Sequence, residues 1–194
     1  MASSGTTSFN ITIDEVINEA YERCGVRVNS GNDIRSARRS LNLLFSEWGN
    51  RGINLWKVKS KTETLVNGQV TYNTPSDCND VLEAVVTVSG GTQQSLTKIS
   101  RSEYIAIPNK TATGTPSQYY VDRQITPTIS LYLAPDTSAV TNIFYYYLAR
   151  IEDAGAYTNT TDMPFRFFPC MVSGLAFYLS QKIAPDRVQA LKLL

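Results

Sequence analysis

The sequence predicts an α+β fold in which an antiparallel β-rich domain is inserted into a helical bundle. Three observations carry this. Apolar residues recur at spacings of three and four toward both ends of the 194-residue chain. Period-two alternation, broken by turn dipeptides, fills the middle. Capping residues and glycines bracket the helical stretches; these are the usual start and stop signals of a helix. The expected division is a helical bundle from 11–55 plus 162–194 and a β-rich domain, a sheet or small barrel, from 56–150.

The first helix is expected from Thr12, with Glu15 three residues on completing a capping-box pattern. Its apolar stripe is Ile13, Val16, Ile17, Ala20, Tyr21 and Cys24, and Gly25 is a natural C-terminal stop. Asn32 or Asp33 is placed to cap the second helix. Its stripe is Ile34, Ala37, Leu41, Leu44, Phe45 and Trp48, and Gly49 and Gly52 suit the exit. These two helices are expected to form a hairpin.

In the middle zone, Lys57, Lys59 and Lys61 alternate with Val58 as in a half-exposed strand. Asn67-Gly68 between 62–66 and 70–72 is a hairpin signal. Residues 81–88 form a further run, stopped by Gly90-Gly91, and 117–122, 128–133 and 141–149 give three more. A short helix is expected at 102–107, closed by Pro108, followed by an exposed polar loop at 109–116. In the last zone Asp162 and Pro164 are expected to start a helix through Phe168, Met171, Val172, Leu175, Ala176 and Leu179. Pro185 separates it from a final piece, 186–194, that carries no stop signal and is expected to continue or to be completed by a partner.

Composition excludes several classes. Hydrophobic residues make up 42%, enough to fold. A net charge of +1 excludes a strongly basic nucleic-acid binder. Cys24, Cys78 and Cys170 form no CxxC pair and no even framework. The first ten residues have neither the basic nor the apolar region of a leader, and no run approaches the roughly 20 apolar residues of a membrane span. The expectation is a chain that is neither secreted nor membrane-bound.

The chemistry is equally bounded. There is no histidine, which removes imidazole bases, histidine triads and histidine-ligated metals. Two-carboxylate hydrolysis needs none, and the candidate pairs are Asp14 with Glu15, Asp77 with Asp80, and Glu152 with Asp153. Each also reads as a helix N-terminus or a turn. Gly90-Gly91-Thr92 and Gly114-Thr115-Pro116 lack the spacing of a phosphate loop. No enzyme activity, cofactor or metal is expected.

The remaining signals concern surfaces. Arg35, Arg38 and Arg39 share one side of the second helix, opposite a first helix that carries Asp14, Glu15, Glu19 and Glu22. They either pair with Glu19 or Glu22 within the chain or form ion pairs between copies. Tyr145 and Tyr147 belong equally to a core strand or to a subunit interface. Asp186, Arg187, Leu191 and Leu194 lie on the unterminated end, where leucines are expected to need a partner.

The start at 11–25, the run 36–56, the block VLEAVVTV at 81–88, the segment 105–120 and the end 164–194 together resemble the head-to-tail adaptor, or connector, family of tailed bacteriophages. The likeness is closest to the short-tailed phages, whose members are called tail tubular protein A. It covers nearly the whole chain in order and rests on layout, not on a catalytic motif. It implies a structural virion protein at the head–tail junction, made in the host cytoplasm. It implies a twelve-fold ring of copies, a portal protein on one side and a distal tail protein, nozzle or tube, on the other. DNA would pass through the channel without sequence-specific binding, so the wall is expected not to be strongly basic. Asp186, Arg187, Leu191 and Leu194 are then candidate portal contacts, and Glu19, Glu22, Arg35, Arg38, Arg39, Tyr145 and Tyr147 candidate subunit contacts. The other class left open is a monomeric β-rich carbohydrate-binding or tail-associated hydrolase module.

Overall fold

A computed structural model of the chain describes residue 5, residues 9–53 and residues 55–192. The helices among them are α1 (Ile13–Arg23), α2 (Gly31–Asn50), α3 (Arg101–Ala106), α4 (Phe168–Ile183) and α5 (Val188–Lys192). The strands are β1 (Val58–Thr64), β2 (Thr71–Asn73), β3 (Cys78–Val88), β4 (Gln93–Ser95), β5 (Thr97–Lys98), β6 (Thr113–Gly114), β7 (Gln118–Asp122), β8 (Thr128–Tyr132), β9 (Ala134–Pro135) and β10 (Val140–Ala149). The class is α+β. The chain forms two compact units: a helical one up to Trp56 and again from Ile151, and a β unit, Lys57–Arg150.

In the helical unit α4 lies against α1, α2 and α5, while α1 and α2 touch each other less than either touches α4. Both amphipathic faces close on α4, through Ile13, Val16, Ile17 and Ala20 of α1 and Ala37, Leu41, Leu44 and Phe45 of α2. Gly174 lets α2 and α4 approach closely. A Cβ there would sit 2.8 Å from a Leu44 methyl.

The helix starts are built from short polar bonds. The Thr12 amide donates to the Glu15 carboxylate at 2.8 Å, and the Ile13 and Asp14 amides donate to the Asn159 and Tyr157 carbonyls. Helix α2 differs from expectation: its N-cap is Ser30, whose hydroxyl accepts from the Asp33 amide. Asp33 sits at the third helical position and closes the capping box. Asp162 does not cap α4. Its carboxylate accepts from the Glu152 amide, and a 3-10 turn at Phe165–Phe167 leads into α4, with Pro169 in the first turn. Gly25 takes φ +76 at the end of α1.

The β unit holds two four-stranded sheets, ordered β1-β10-β3-β4 and β2-β8-β7-β5, with a small β6-β9 pair. One apolar cluster takes side chains from both four-stranded sheets, including Val81, Ala84 and Val86 of β3 and Ile129 and Leu131 of β8. The pairing is antiparallel except for β5-β7 and β6-β9, which are parallel. The Asn67-Gly68 turn exists, with Gly68 at φ +74, but it is not a hairpin. Strand β1 pairs with β10 and β2 pairs with β8, so the turn carries the chain from one sheet to the other. Leu65 is buried beside it, and the Val66 amide donates to the Tyr72 hydroxyl at 3.0 Å. Burying Leu65 in the shared core outweighs the local preference of the dipeptide.

Candidate interaction surfaces

The charged side of α2 meets none of the carboxylates that the sequence offered it. Glu19 pairs with Arg23 of its own helix at 3.0 Å. Arg35 donates to the Gly31 carbonyl, and the Arg38 guanidinium lies 5.7 Å from the centre of the Tyr157 ring. Arg35, Arg39, Glu19 and Glu22 are all exposed. The four-residue spacing puts Arg35 and Arg39 side by side on the surface.

Tyr145 and Tyr147 are corrected as interface candidates. Both lie in the β-unit core, at 1% and 6% exposure, because alternation along β10 turns them inward and leaves Tyr146 facing out. Burial raises the tyrosine pKa at both positions. The Tyr147 hydroxyl donates to Asp77 at 3.4 Å, whereas the buried Tyr145 hydroxyl has no partner among the described residues.

Leu191 is corrected as well. At 7% exposure it belongs to the helical core, so it supplies no free apolar surface. Helix α5 folds back on α4 after the turn Pro185–Arg187, which brings Leu191 inward. Leu194 lies outside the described residues. Asp186 and Arg187 are exposed. Arg187 also helps to hold the fold. Its guanidinium donates to the Arg23 carbonyl at 3.3 Å, over the C-terminal end of α1 where a cation is favoured. A Cβ on Gly25 would lie 2.6 Å from that guanidinium.

Of the candidate carboxylates, Asp14, Glu15, Asp77, Asp80 and Asp153 bond within the fold. Asp14 accepts from the Thr12 hydroxyl, and Glu15 accepts from the Thr12 amide. The Thr12 bonds draw the Glu15 pKa below its ordinary value. Asp77 pairs with Lys59 at 2.9 Å. Asp80, on β3, takes Lys98 of β5 at 2.9 Å and Arg123 at 2.7 Å, linking the two sheets. Asp153 accepts from the Gly155 amide. The thiols of Cys24 and Cys78 are buried, and burial raises their pKa, which suppresses thiolate chemistry. Among the described residues no group of three or more metal-ligating side chains could hold an ion. No helix among them is long and apolar enough to cross a membrane.

Two concavities were not legible in the sequence. One, of about 710 Å³, lies between α2 and α4 and is lined by Trp48, Phe177, Tyr178 and the Glu47–Arg51 ion pair. The Tyr178 hydroxyl donates to Glu47 across it. The other lies in the β unit beside α3, where Lys98, Arg101 and Arg123 converge. Strand pairings far apart in sequence bring those three cations together, so spacing alone gives no signal for them.

The described elements form two compact units in which Asp14, Glu15, Asp77 and Asp80 are tied into a cap and ion pairs. No curated protein matches the chain. The family model for the SU10 adaptor protein matches residues 9–192, and the chain accordingly belongs to that family, a phage structural adaptor of the head–tail junction that associates with other head–tail components.

Proposed function

We propose that copies of this chain assemble head-to-tail into a ring, twelve-fold as the short-tailed-phage adaptors imply, seated between portal and distal tail around the DNA path. The family match over residues 9–192 is the observation that carries this reading. In a ring each interface joins one face of a subunit to a different face of the next. The exposed Arg35 and Arg39 on α2, and Glu19 and Glu22 on α1, are our subunit contacts. What supports them is that the intrachain pairing between the two helices is not made. Asp186 and Arg187 are our portal contacts, on the exposed turn before α5. The role is mechanical: the ring continues the channel and seats the next tail component. DNA passes without sequence-specific contact, in keeping with a net charge of +1. The carbohydrate-binding or hydrolase reading draws no support from Asp14, Glu15, Asp77 and Asp80, which a cap and ion pairs occupy.

The test is charge reversal followed by sedimentation with portal of the same phage. Arg35→Glu with Arg39→Glu is expected to abolish ring assembly on portal, and Glu19→Arg with Glu22→Arg in the same chain is expected to restore part of it. Assembly unchanged by the first pair of substitutions removes these residues from the interface.

A further inference from the structure

The cleft of about 530 Å³ beside α3 has a chemistry of its own. Its wall carries Lys98, Arg101 and Arg123, with Tyr120, Ile99 and Val121 beneath them. Tyr120 is stacked on Tyr104 at 5.1 Å between ring centres, and Lys110 lies over Tyr104 at 5.6 Å, so the aromatic base is flanked by a fourth cation. Among the described residues, the carboxylate that pairs with these cations is Asp80.

The use made of that carboxylate is informative. The Lys98 ammonium contacts both Asp80 oxygens at 2.9 Å and also donates to the Val81 carbonyl at 2.7 Å. Lys98 is therefore saturated and structural. Arg123 gives one N–H to Asp80, and its side chain is 61% exposed, so most of its five donors face the cleft or solvent. Arg101 is exposed and has no ion-pair partner among the described residues. It also stands at the first position of α3, where a cation is disfavoured and an acidic residue is the usual choice. Nothing in the packing of α3, which buries none of its residues, accounts for that arginine.

We propose that this cleft is a binding site for an acidic peptide segment, one of whose carboxylates bridges Arg101 and Arg123 while its chain lies along Tyr120. The geometry already accommodates a carboxylate between Lys98 and Arg123, and planar guanidinium groups match that group with paired donors. A peptide suits the site better than duplex DNA. The cations occupy one compact cleft, not a row that follows phosphates spaced along a helix axis. The proposal does not depend on ring formation or on the portal.

The test uses the full chain and a hexaglutamate peptide, with binding followed by calorimetry at low salt, where such contacts are least screened. Wild type is expected to bind it, and Arg101→Gln and Arg123→Gln are each expected to weaken binding about tenfold. Arg27→Gln, an exposed arginine on the helical unit with no assigned role, serves as the control and is expected to change nothing. The unfolding midpoint of Arg101→Gln is expected to match wild type, since that side chain holds nothing in place. Failure of the wild type to bind, or equal losses in Arg101→Gln and Arg27→Gln, overturns the proposal. So does a 20-bp duplex, the probe for a nucleic-acid site, that binds more tightly than the peptide through the same two arginines.

Discussion

Among the described residues the core of the helical unit is mostly aliphatic, with Tyr21 and Phe45 its buried aromatics, whereas the β unit closes over Tyr72, Tyr119, Tyr145 and Tyr147. The difference follows from geometry. Helix faces meeting at close range, as at Gly174 and Leu44, leave room for Leu, Ile, Val and Ala. Two sheets stand about 10 Å apart and need long side chains to fill the gap. Tyrosine fills it but brings a hydroxyl that must find a partner. Tyr119 finds the Leu82 carbonyl at 3.0 Å. That carbonyl sits where β3 bulges against β10, between the partners of Tyr146 and Tyr147. Tyr145 finds none. The helical core holds one such hydroxyl, that of Tyr21, which donates to the Asp33 carbonyl at 3.2 Å, so tyrosine hydrogen bonding weighs more heavily on the β core.

Truncation of the two cores gives the largest expected effects. Leu41→Ala in the helical unit and Leu131→Ala in the β unit are each expected to cost about 2–5 kcal/mol, since both side chains are fully buried. Denaturant unfolding measures it. Trp48 and Trp56 both lie in the helical part of the chain, so tryptophan fluorescence reports that unit, while near-ultraviolet tyrosine dichroism is weighted toward the β unit. If Leu131→Ala shifts the tyrosine signal but leaves the tryptophan signal in place, the units unfold separately. A joint shift shows that they unfold as one.

Alkali separates the two cores next. Burial pushes the Tyr119 hydroxyl up to about 12 and raises those of Tyr72, Tyr145 and Tyr147 above the ordinary 10.0. The folded state therefore keeps these groups neutral after the unfolded chain has begun to ionise. Their contribution is fully present below pH 10 and is lost as pH rises through the raised values. The β unit, with four such groups, is expected to lose its tyrosine dichroism in this window before tryptophan emission reports loss of the helical unit. The opposite order contradicts the contrast drawn between the cores.

A smaller effect is expected at the end of α1. Gly25→Ala is expected to cost about 1–3 kcal/mol, because a side chain at φ +76 is strained and must displace Arg187. Thermal unfolding checks it, and adding Arg187→Ala is expected to recover only the steric part. Smallest of all is the pair of hydroxyl deletions. Tyr119→Phe is expected to cost about 1 kcal/mol, by leaving the Leu82 carbonyl unpaired. Tyr145→Phe is expected to be neutral or stabilising, because it removes a buried group without a partner. Equal losses in both would mean that the Tyr145 hydroxyl is hydrogen-bonded in solution.

Legibility in the sequence divides along the same line. Helix α1 was readable from Thr12, Glu15 and its apolar stripe, because caps and periodicity are local. The run 81–88 and the alternation of 141–149 likewise announced β3 and β10. What failed depended on distant partners. Asn67-Gly68 has every local mark of a hairpin, yet β2 finds β8 more than fifty residues on. Asp162 looks like a cap, yet the amide that it accepts from is that of Glu152. Leu191 looks exposed on an open-ended helix, yet Pro185 turns α5 back onto α4. The outward aromatic of the tyrosine run depends on which face of β10 meets the second sheet, and the basic cleft exists only after β5 and β7 pair.

The most direct test of the adaptor account is electron microscopy of this chain mixed with the portal protein of the same phage. The account predicts a closed ring of copies on the tail-side end of the portal, with the channel open through its centre. A chain that stays monomeric and leaves portal bare, or that binds elsewhere on the particle, contradicts it.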